Sequence, residues 1–455
     1  MNSFFSRSLS ELLAMIRRGD VSPTELAAHC IRQIDRRDRG RAGLNSVCEL
    51  NPHVFAEARR LEDRLAAGRG TGMRPGPLFG LPILIKDNIG TAAPLHTTAG
   101  SLALKQHQPP DAAIVHRLRD CGAIILGKTN MTELANYMSP KMPGGYSSAG
   151  GQVVYPYDRT RDPWGSSTGS AVAVAAGFCA AAIGTDTSNS IIAAALRLGV
   201  AGLRPALGLW PQEGIVPITK TLDTAGPLAR SVSDLRLIDQ AVRGLNESRP
   251  DSRLSLSDLR IAVNIWQPDG RQPTPLAVSL PERLRQAGCS IREINWPASA
   301  ALRIIMKFEF KANLNAYLRQ TGAPVPSLAD LIDYNQTHAA AALRYGQSQL
   351  LEAEHDVSGT GREPEYRDAL AEISRQQALA RDLLHDVDLC LMAAPNNVAH
   401  LCGLPSVALP GGADHDGLPD GLFFCGLDQD RLLAATALIE PLLPPPPPLP
   451  LAETR

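Results

Sequence analysis

Near the start of the chain, apolar residues recur three or four positions apart, which is the spacing of one face of an α-helix. The pattern runs from Ser8 to about Arg37 and comprises Leu9, Leu12, Leu13 and Ile16, followed by Leu26, Ile31 and Ile34. The stretch "GDVSPTE" interrupts it, with Ser22 suited to cap a helix and Pro23 suited to a first turn. We therefore predict two amphipathic helices.

Short apolar runs bounded by proline and glycine predict buried strands. In "PLFGLPILIKDNIG" the run Ile83 to Ile85 ends at Lys86 and Asp87. In "DAAIVHRLRDCGAIILGKTN" the pattern predicts a helix that ends at Gly122, followed by a strand over 123–126. Because strand and helix alternate, we predict an α/β fold with a largely covered sheet.

One stretch, 165–185, contains 21 residues without a charge, which is long enough to cross a membrane. It is rich in glycine, serine, threonine and alanine, and Asp186 follows it at once. A buried helix that leads into a buried strand fits this composition better than a membrane span.

The second half of the chain is dominated by a helical pattern from about 302 to 384. We interpret it as a helical insertion or cap within one large domain, 1–443. The segments "LCLMAAPN" and "SVALPGG" predict strands that return to the sheet, and 432–443 predicts a closing helix. The tail 444–455, "PPPPPLPLAETR", predicts extended polyproline, with disorder favoured over a ligand for an SH3-type domain.

The balance of charges and the spacing of the cysteines argue against several classes of function. The chain has 45 Lys plus Arg against 46 Asp plus Glu, so its total charge predicts no attraction to nucleic acid or anionic lipid, and a small-molecule substrate is the default. The eight cysteines form no CxxC pair, which argues against a zinc site and a disulfide framework. Charged residues at 11, 17 and 18 interrupt the N-terminus, so we expect no signal peptide and a cytoplasmic protein.

Three places carry candidate chemistry: Lys86 at the end of its strand, Ser166 and Ser167 in "WGSSTGSA", and Ser190 in "GTDTSNSI". Each has a structural alternative when taken alone. Lys86 beside Asp87 is typical of a solvated ion pair, a Ser/Gly run is typical of a turn or helix start, and Ser190 could cap a helix over 191–198.

Together, these residues supply what a serine nucleophile needs without histidine. A hydroxyl must lose its proton as it attacks, and the base must have a pKa near the working pH. Lysine meets that condition when burial lowers its pKa by several units. A second hydroxyl between them can pass the proton along, and backbone N–H groups in the turn before Ser190 can hold the oxyanion.

Four segments resemble motifs of the amidase signature family: "GLPILIKDNI", "GKTNMTELANYMSPKMPGGYSSAGGQ", "GSSTGSAVAVAAG" and "GTDTSNSI". The resemblance extends from the N-terminal helices to about Pro441. It is nearest to the bacterial hydrolytic branch, because of "MPGGYSSAGGQ" and because Ile192 stands where amidotransferase-like members have the arginine of "SIRxPA". It implies one large α/β domain with a mixed central sheet covered by helices on both faces.

The resemblance also implies a role for each matching position. Lys86 would be the base, Ser166 the bridging serine with a cis peptide bond, and Ser190, 24 positions later, the nucleophile. The oxyanion hole would be formed by the backbone amides of Thr187, Ser188, Asn189 and Ser190, and supporting hydrogen bonds would come from Ser167 and Thr185.

The implied activity is hydrolysis of a carboxamide or small amide through an acyl-enzyme, with no cofactor and no metal. Two alternatives stay open: acyl transfer to an amine in a biosynthetic pathway, and a catalytically weak scaffold with the same fold. The expected partner is the small-molecule amide, without nucleic acid or membrane. The oligomeric state is open, with a homodimer as one option.

The chain departs from the family pattern close to the proposed nucleophile. Ser188 and Asn189 stand where members have glycine, Trp164 replaces another glycine, and Ala194 replaces a proline. Because asparagine tolerates a left-handed backbone, we expect Asn189 to preserve the turn. The histidines at 96, 107, 116 and 400 lie in no hydrolase motif, so we expect surface or core roles for them.

Overall fold

One mixed sheet of eleven strands forms the centre of the molecule. The computed structural model describes residues 4, 7–68, 75–245, 254–266, 274–392 and 396–450. The strands are β1 (Val47–Leu50), β2 (Pro82–Lys86), β3 (Ile124–Thr129), β4 (Tyr146–Ser147), β5 (Gly151–Gln152), β6 (Ala181–Asp186), β7 (Ala201–Arg204), β8 (Thr224–Ala229), β9 (Arg260–Asn264), β10 (Ser290–Ile294), β11 (Leu389–Met392), β12 (Ser406–Ala413) and β13 (Pro419–Cys425).

The strand order in the large sheet is β1-β3-β2-β6-β8-β7-β12-β13-β11-β9-β10, and β4 and β5 form a separate hairpin. Strand β2 pairs in parallel with β3 and β6, whereas β6 and β8 are antiparallel. Strand β2 therefore lies inside the sheet with a neighbour on each side. Its last residue, Lys86, is held next to the end of β6.

The helices are α1 (Leu9–Arg18), α2 (Pro23–Arg37), α3 (Val54–Gly68), α4 (Ala113–Asp120), α5 (Thr168–Ala175), α6 (Ile192–Leu198), α7 (Val232–Arg243), α8 (Pro275–Gln286), α9 (Ala301–Gln320), α10 (Leu328–Thr337), α11 (Ala339–Ala342), α12 (Ser348–His355), α13 (Pro364–Leu384), α14 (Val398–Leu401) and α15 (Gln429–Ile439). Helices α5 and α6 contact each other and the sheet, and α1, α4 and α15 gather around α7. The predicted α/β class with a mixed sheet is confirmed.

The two N-terminal helices predicted from the apolar spacing are confirmed. Ser8 and Ser22 each form a capping box, in which the serine accepts from a backbone amide and a glutamate accepts from the serine amide. Gly19 ends α1 in the left-handed conformation with φ 82°, which glycine adopts without steric cost.

The charge-free stretch also folds as predicted, because α5 leads into the fully buried strand β6. Within the described ranges, every helix is too short or too polar to span a bilayer. This stretch instead places two candidate segments beside each other, since α5 begins just after Ser166 and Ser167 and β6 ends just before the loop with Ser190.

The stretch expected to form a helical insertion or cap contains α9 to α13. Side chains from these helices, among them Phe310 and Leu314, form a second apolar cluster with Tyr137, Met138 and Val216. The helices therefore pack against the loops that follow β3 and precede β8. Their action as a cap over a binding site stays a prediction.

The disorder expected for the proline-rich tail does not fit residues 444–450. The Pro444 carbonyl accepts a 2.8 Å hydrogen bond from the Gly412 amide, and the Pro447 carbonyl accepts one of 3.2 Å from the Tyr157 hydroxyl. Leu449 packs against the main apolar core. Because proline has few backbone conformations to lose, such a segment is ordered by few contacts. The remaining tail residues, 451–455, lie outside the described residues.

Candidate active site

The side chain of Lys86 is completely buried and lies among hydroxyl groups. Its Nζ atom is 2.8 Å from the Ser166 Oγ, 3.0 Å from the Ser167 Oγ and 2.8 Å from the Thr185 Oγ1. A fourth contact, of 3.3 Å, reaches the Thr185 carbonyl oxygen. The structure thus brings four of the residues singled out in the sequence into one hydrogen-bonded cluster.

Burial changes the protonation of this lysine. Loss of hydration lowers the pKa of Lys86 to about 7, although the carboxylates of Asp186 and Asp223 oppose the change. A group with that pKa is in part neutral near pH 7 and can accept a proton there. The solvated ion pair with Asp87 is ruled out for Lys86, because Asp87 instead lies 3.8 Å from the buried Lys128 ammonium.

Ser166 lies at the start of the segment that leads into α5, and its side chain is also buried. The peptide bond between Gly165 and Ser166 is cis, as the resemblance implies. The next amide, that of Ser167, donates a 3.2 Å hydrogen bond to the Ser190 carbonyl. This bond fastens the Ser166 segment to the loop after β6.

Ser190 stands in the loop between β6 and α6, and 9% of its surface is exposed. The structure does not support its alternative role as a helix cap, because Ile191 occupies the cap position without a side-chain hydrogen bond. The amides of Ile191 and Ile192 instead donate to Asp186 Oδ2, at 2.7 and 3.3 Å. The Ser190 hydroxyl has no hydrogen bond to any described residue, so its link to the Ser166 segment is by main chain only.

The loop that begins at Thr187 presents unpaired backbone donors. In the part of the chain that the structure describes, the amides of Ser188, Asn189 and Ser190 have no hydrogen-bond acceptor. Their carbonyls are held, since the Asn189 carbonyl accepts a 2.8 Å bond from the Ala193 amide. A loop with fixed carbonyls and free amides can bind negative charge, as an oxyanion hole does.

Asp223 and His400, which belong to none of the motifs found in the sequence, anchor this loop by hydrogen bonds. The Thr187 hydroxyl donates a 2.6 Å hydrogen bond to Asp223 Oδ1, and the other Asp223 oxygen accepts from the amides of Ile218 and Thr219. Burial raises the pKa of Asp223 to about 6. The only sequence signal for this role is the position of Asp223 directly before β8.

His400 is the second anchor. Its Nδ1 lies 2.9 Å from the Ser188 carbonyl oxygen and donates to it, and its ring tilts against Phe423. Burial lowers the pKa of His400 to about 4, so the imidazole is neutral at pH 7. Of the two roles expected for this histidine, surface or core, the structure shows the core one, and the sequence did not predict its contact with the candidate nucleophile loop.

Two of the four departures from the family pattern, Trp164 and Asn189, differ in their backbone conformation. Trp164 has φ 59°, in the left-handed region where glycine is favoured. Asn189 is not among the residues with positive φ, so the expectation that it preserves a left-handed turn is wrong. The loop before Ser190 takes a conformation open to any residue, and the anchors at Asp223 and His400 hold it.

The side chains of the site, an amine and several hydroxyls, can transfer protons. The candidate cluster consists of one lysine, three hydroxyls and a row of amides. Within the described ranges, no three histidine, cysteine, aspartate or glutamate side chains are grouped so that they could hold a metal ion. The set suits proton transfer and oxyanion binding better than metal ligation.

Comparison with known proteins gives consistent matches. A profile of the family described as Amidase matches residues 29–405. A protein described as a probable amidase of Arabidopsis thaliana is 33% identical over 416 residues, which cover 84% of this chain and 80% of that protein. A glutamyl-tRNA(Gln) amidotransferase subunit of Thermus thermophilus is 32% identical over 480 residues, which cover 94% and 96%.

Among solved structures, native peptide amidase from Stenotrophomonas maltophilia superposes with a TM-score of 0.86 at 35% identity. The superposition covers 97% of this chain and 98% of that chain. The region matched by the family profile includes Lys86, Ser166 and Ser190.

Proposed function

The chain belongs to the amidase family, and from that premise we propose that it hydrolyses a carboxamide or small amide with Ser190 as the nucleophile. One observation carries the proposal: the buried Lys86, with a pKa of about 7, contacts the hydroxyls of Ser166 and Ser167 beside a loop with free amides. This arrangement provides a base, a proton carrier and an oxyanion site within one cluster.

In the first step, the Ser190 oxygen attacks the amide carbonyl carbon. Its proton passes to the Ser166 oxygen as the Ser166 proton passes to the neutral Lys86 amine. The amides of the loop Thr187 to Ser190 stabilise the negative charge on the former carbonyl oxygen. The product of this step is a tetrahedral adduct and a protonated Lys86.

In the second step, the C–N bond breaks and the leaving nitrogen takes the proton back from Lys86 through Ser166. Ammonia or an amine leaves, and the acyl group stays on Ser190 as an ester. Water then attacks the ester by the same route, which releases the carboxylic acid and restores the Ser190 hydroxyl. The net reaction is amide plus water to acid plus amine.

Supporting residues keep Lys86 in position without taking part in bond making. The Thr185 hydroxyl accepts from both Lys86 and the Asn88 side-chain amide, at 2.8 and 3.0 Å. The Ser167 hydroxyl donates to the Thr185 carbonyl at 3.0 Å. These bonds orient the lysine amine toward Ser166. Among carboxamides, we favour peptide amides, because of the similarity to the peptide amidase.

Two other functions are supported less well. Transfer of the acyl group to an amine in place of water is suggested by the similarity to the amidotransferase of Thermus thermophilus. Product analysis with added amine tests it, since transfer would give a new amide in place of the acid. A catalytically weak scaffold would not react with a fluorophosphonate at Ser190, whereas a functional amidase would be labelled there.

The direct test is a panel of carboxamides with ammonia release as the measurement. We expect the purified protein to release ammonia from at least one peptide or aryl amide, and the Ser190→Ala variant to release none above the blank. Activity in Ser190→Ala equal to that of the unaltered protein would contradict the proposal.

A further inference from the structure

A pocket of about 440 Å³ runs along the outer side of α6, starting at the loop that carries Ser190. Asn189 borders it at the loop end, and its walls include Trp164, Leu196, Met392 and Phe423. Because a helix rises about 1.5 Å per residue, the part of the wall from Ile192 to Leu196 is roughly 6 Å long. The space is larger than a simple carboxamide requires.

Trp164 is the most unusual residue of this pocket. Its side chain is 45% exposed, although tryptophan buries more apolar area than other side chains when it packs. Its backbone is left-handed at φ 59°, a conformation that is costly for a bulky residue. Because Trp164 combines an exposed indole with a strained backbone, it is a candidate for a functional role.

The Trp164 indole lies next to a cation, and the Trp164 backbone is held by a hydrogen bond. The Arg197 guanidinium lies 5.1 Å from the Trp164 ring centre and 4.2 Å from the Tyr155 ring centre, so the cation is sandwiched between two rings. The Trp164 amide donates a 2.6 Å hydrogen bond to Asp162 Oδ1. Arg197 Nε also donates to the Asp162 carbonyl, at 3.1 Å.

The charged groups of the pocket, Arg197, Asp414 and Asp420, form hydrogen bonds with backbone groups. Arg197 donates to the Asp162 carbonyl. One oxygen of Asp414 accepts from the amides of Asp416 and Leu418, each at 2.9 Å. Asp420 is buried, and its Oδ1 accepts from the Gly421 amide, whereas its Oδ2 has no hydrogen-bond partner among the described residues. The pocket therefore offers a ligand mainly its apolar and aromatic surface, with Asp420 Oδ2 as one polar acceptor.

We propose that this pocket is a substrate subsite for an aromatic side group, with the Trp164 indole as its selective wall. The inference rests on the proposed amidase function and specifies its substrate. Trp164 stands two positions before Ser166 and Asn189 one before Ser190, so the pocket adjoins both chain segments that carry the candidate catalytic serines. Aromatic rings bind well against an indole by stacked or edge-on contact.

The test compares N-acetyl-phenylalanine amide with N-acetyl-alanine amide, which differ only by the phenyl ring. In the unaltered protein we expect the phenylalanine amide to have the higher kcat/KM. In Trp164→Asn the ratio of the two kcat/KM values falls about tenfold, chiefly through a higher KM for the phenylalanine amide. Trp164→Phe retains most of the preference, because it keeps an aromatic wall.

Asparagine is chosen because it tolerates the left-handed backbone, and Trp164→Gly checks that the backbone is not the cause. A matched control is Phe55→Ala, which removes a 38% exposed aromatic residue from α3, away from the pocket, and should leave the ratio unchanged. An unchanged ratio in both Trp164→Asn and Trp164→Gly would overturn the subsite.

If neither amide is hydrolysed, the proposed function is decided by the wider carboxamide panel, and binding decides the subsite separately. Calorimetry then measures the binding of N-acetyl-phenylalanine amide to Ser190→Ala and to Ser190→Ala with Trp164→Asn. Weaker binding in the double variant supports the subsite, and equal or absent binding overturns it.

Discussion

At the scale of single residues, the decisive group is Lys86. An ammonium in water would be a poor base near neutral pH, whereas the buried Lys86 has a pKa of about 7. The lysine keeps hydrogen bonds to three hydroxyls, so its burial leaves the amine with partners. The same side chain is thus tolerated in the core and able to exchange a proton.

Replacing Lys86 with methionine keeps the length of the side chain and removes the base. We expect Lys86→Met to lower kcat/KM by about 10³-fold or more, because the proton from Ser190 has no final acceptor. The measurement is ammonia release, with circular dichroism to show that the variant folds. Lys105→Ala, an exposed lysine, is the control. A Lys86→Met enzyme within tenfold of the unaltered protein would rule out the relay.

Asp223 contacts the candidate nucleophile loop through the Thr187 side chain. Because Asp223→Asn weakens the hold on the oxyanion loop, we expect kcat to fall about tenfold with little change in KM. Thr187→Val removes the other partner of the 2.6 Å bond. If the bond is what matters, the double variant is no worse than either single one. Strictly additive losses would mean that the two residues act independently.

At the scale of elements, α9 and α13 are tied to the loop that carries Asp223. Glu309 of α9 accepts hydrogen bonds from the Thr221 hydroxyl and from the Tyr366 hydroxyl of α13, the latter at 2.8 Å. The Thr221 amide also donates to Glu309, at 3.2 Å. The helical segment therefore supports the site at a distance, through Thr221 and Asp223.

Removing the Tyr366 hydroxyl tests this support. We expect Tyr366→Phe to lower the free energy of unfolding by about 1 kcal/mol, which is typical of one lost hydrogen bond. Urea denaturation followed by circular dichroism measures it. Tyr345→Phe is the comparison, since no hydrogen bond of the Tyr345 hydroxyl is seen among the described residues. Equal effects of the two changes would show that the bond to Glu309 adds no stability.

The sequence could predict the parts of the site that depend on local pattern. Lys86 is found at the end of a short apolar strand, and Ser166 and Ser190 lie in glycine- and hydroxyl-rich turns beside predicted elements. The anchors could not be predicted in this way. His400 reaches Ser188 across 212 positions, and that contact depends on how distant strands are ordered in the sheet. The left-handed backbone of Trp164 had one signal, the glycine that family members have at this position, although the residue type itself argues against it.

At the scale of the whole molecule, the order of the strands buries Lys86, and we expect this burial to make kcat/KM depend on pH. Strand β2 is internal, so the lysine side chain is enclosed when the chain folds and hydrated when it unfolds. Only the neutral amine accepts a proton, so kcat/KM should rise as the pH increases through about 7. A pH–rate profile that is flat between pH 6 and 8 would contradict this.

The lowered pKa of Lys86 also makes the stability of the fold depend on pH. Lys86 has a pKa of about 7 when folded, against an ordinary value of 10.5, so between these values the unfolded chain binds more protons than the folded one. Stability therefore rises with pH across this window as far as Lys86 is concerned. Because other groups also titrate there, the informative quantity is the difference in unfolding free energy between Lys86→Met and the unaltered protein. We expect the stability advantage of Lys86→Met to shrink as the pH rises from 7 to 10, and a difference independent of pH would show that Lys86 is not the group with the lowered pKa.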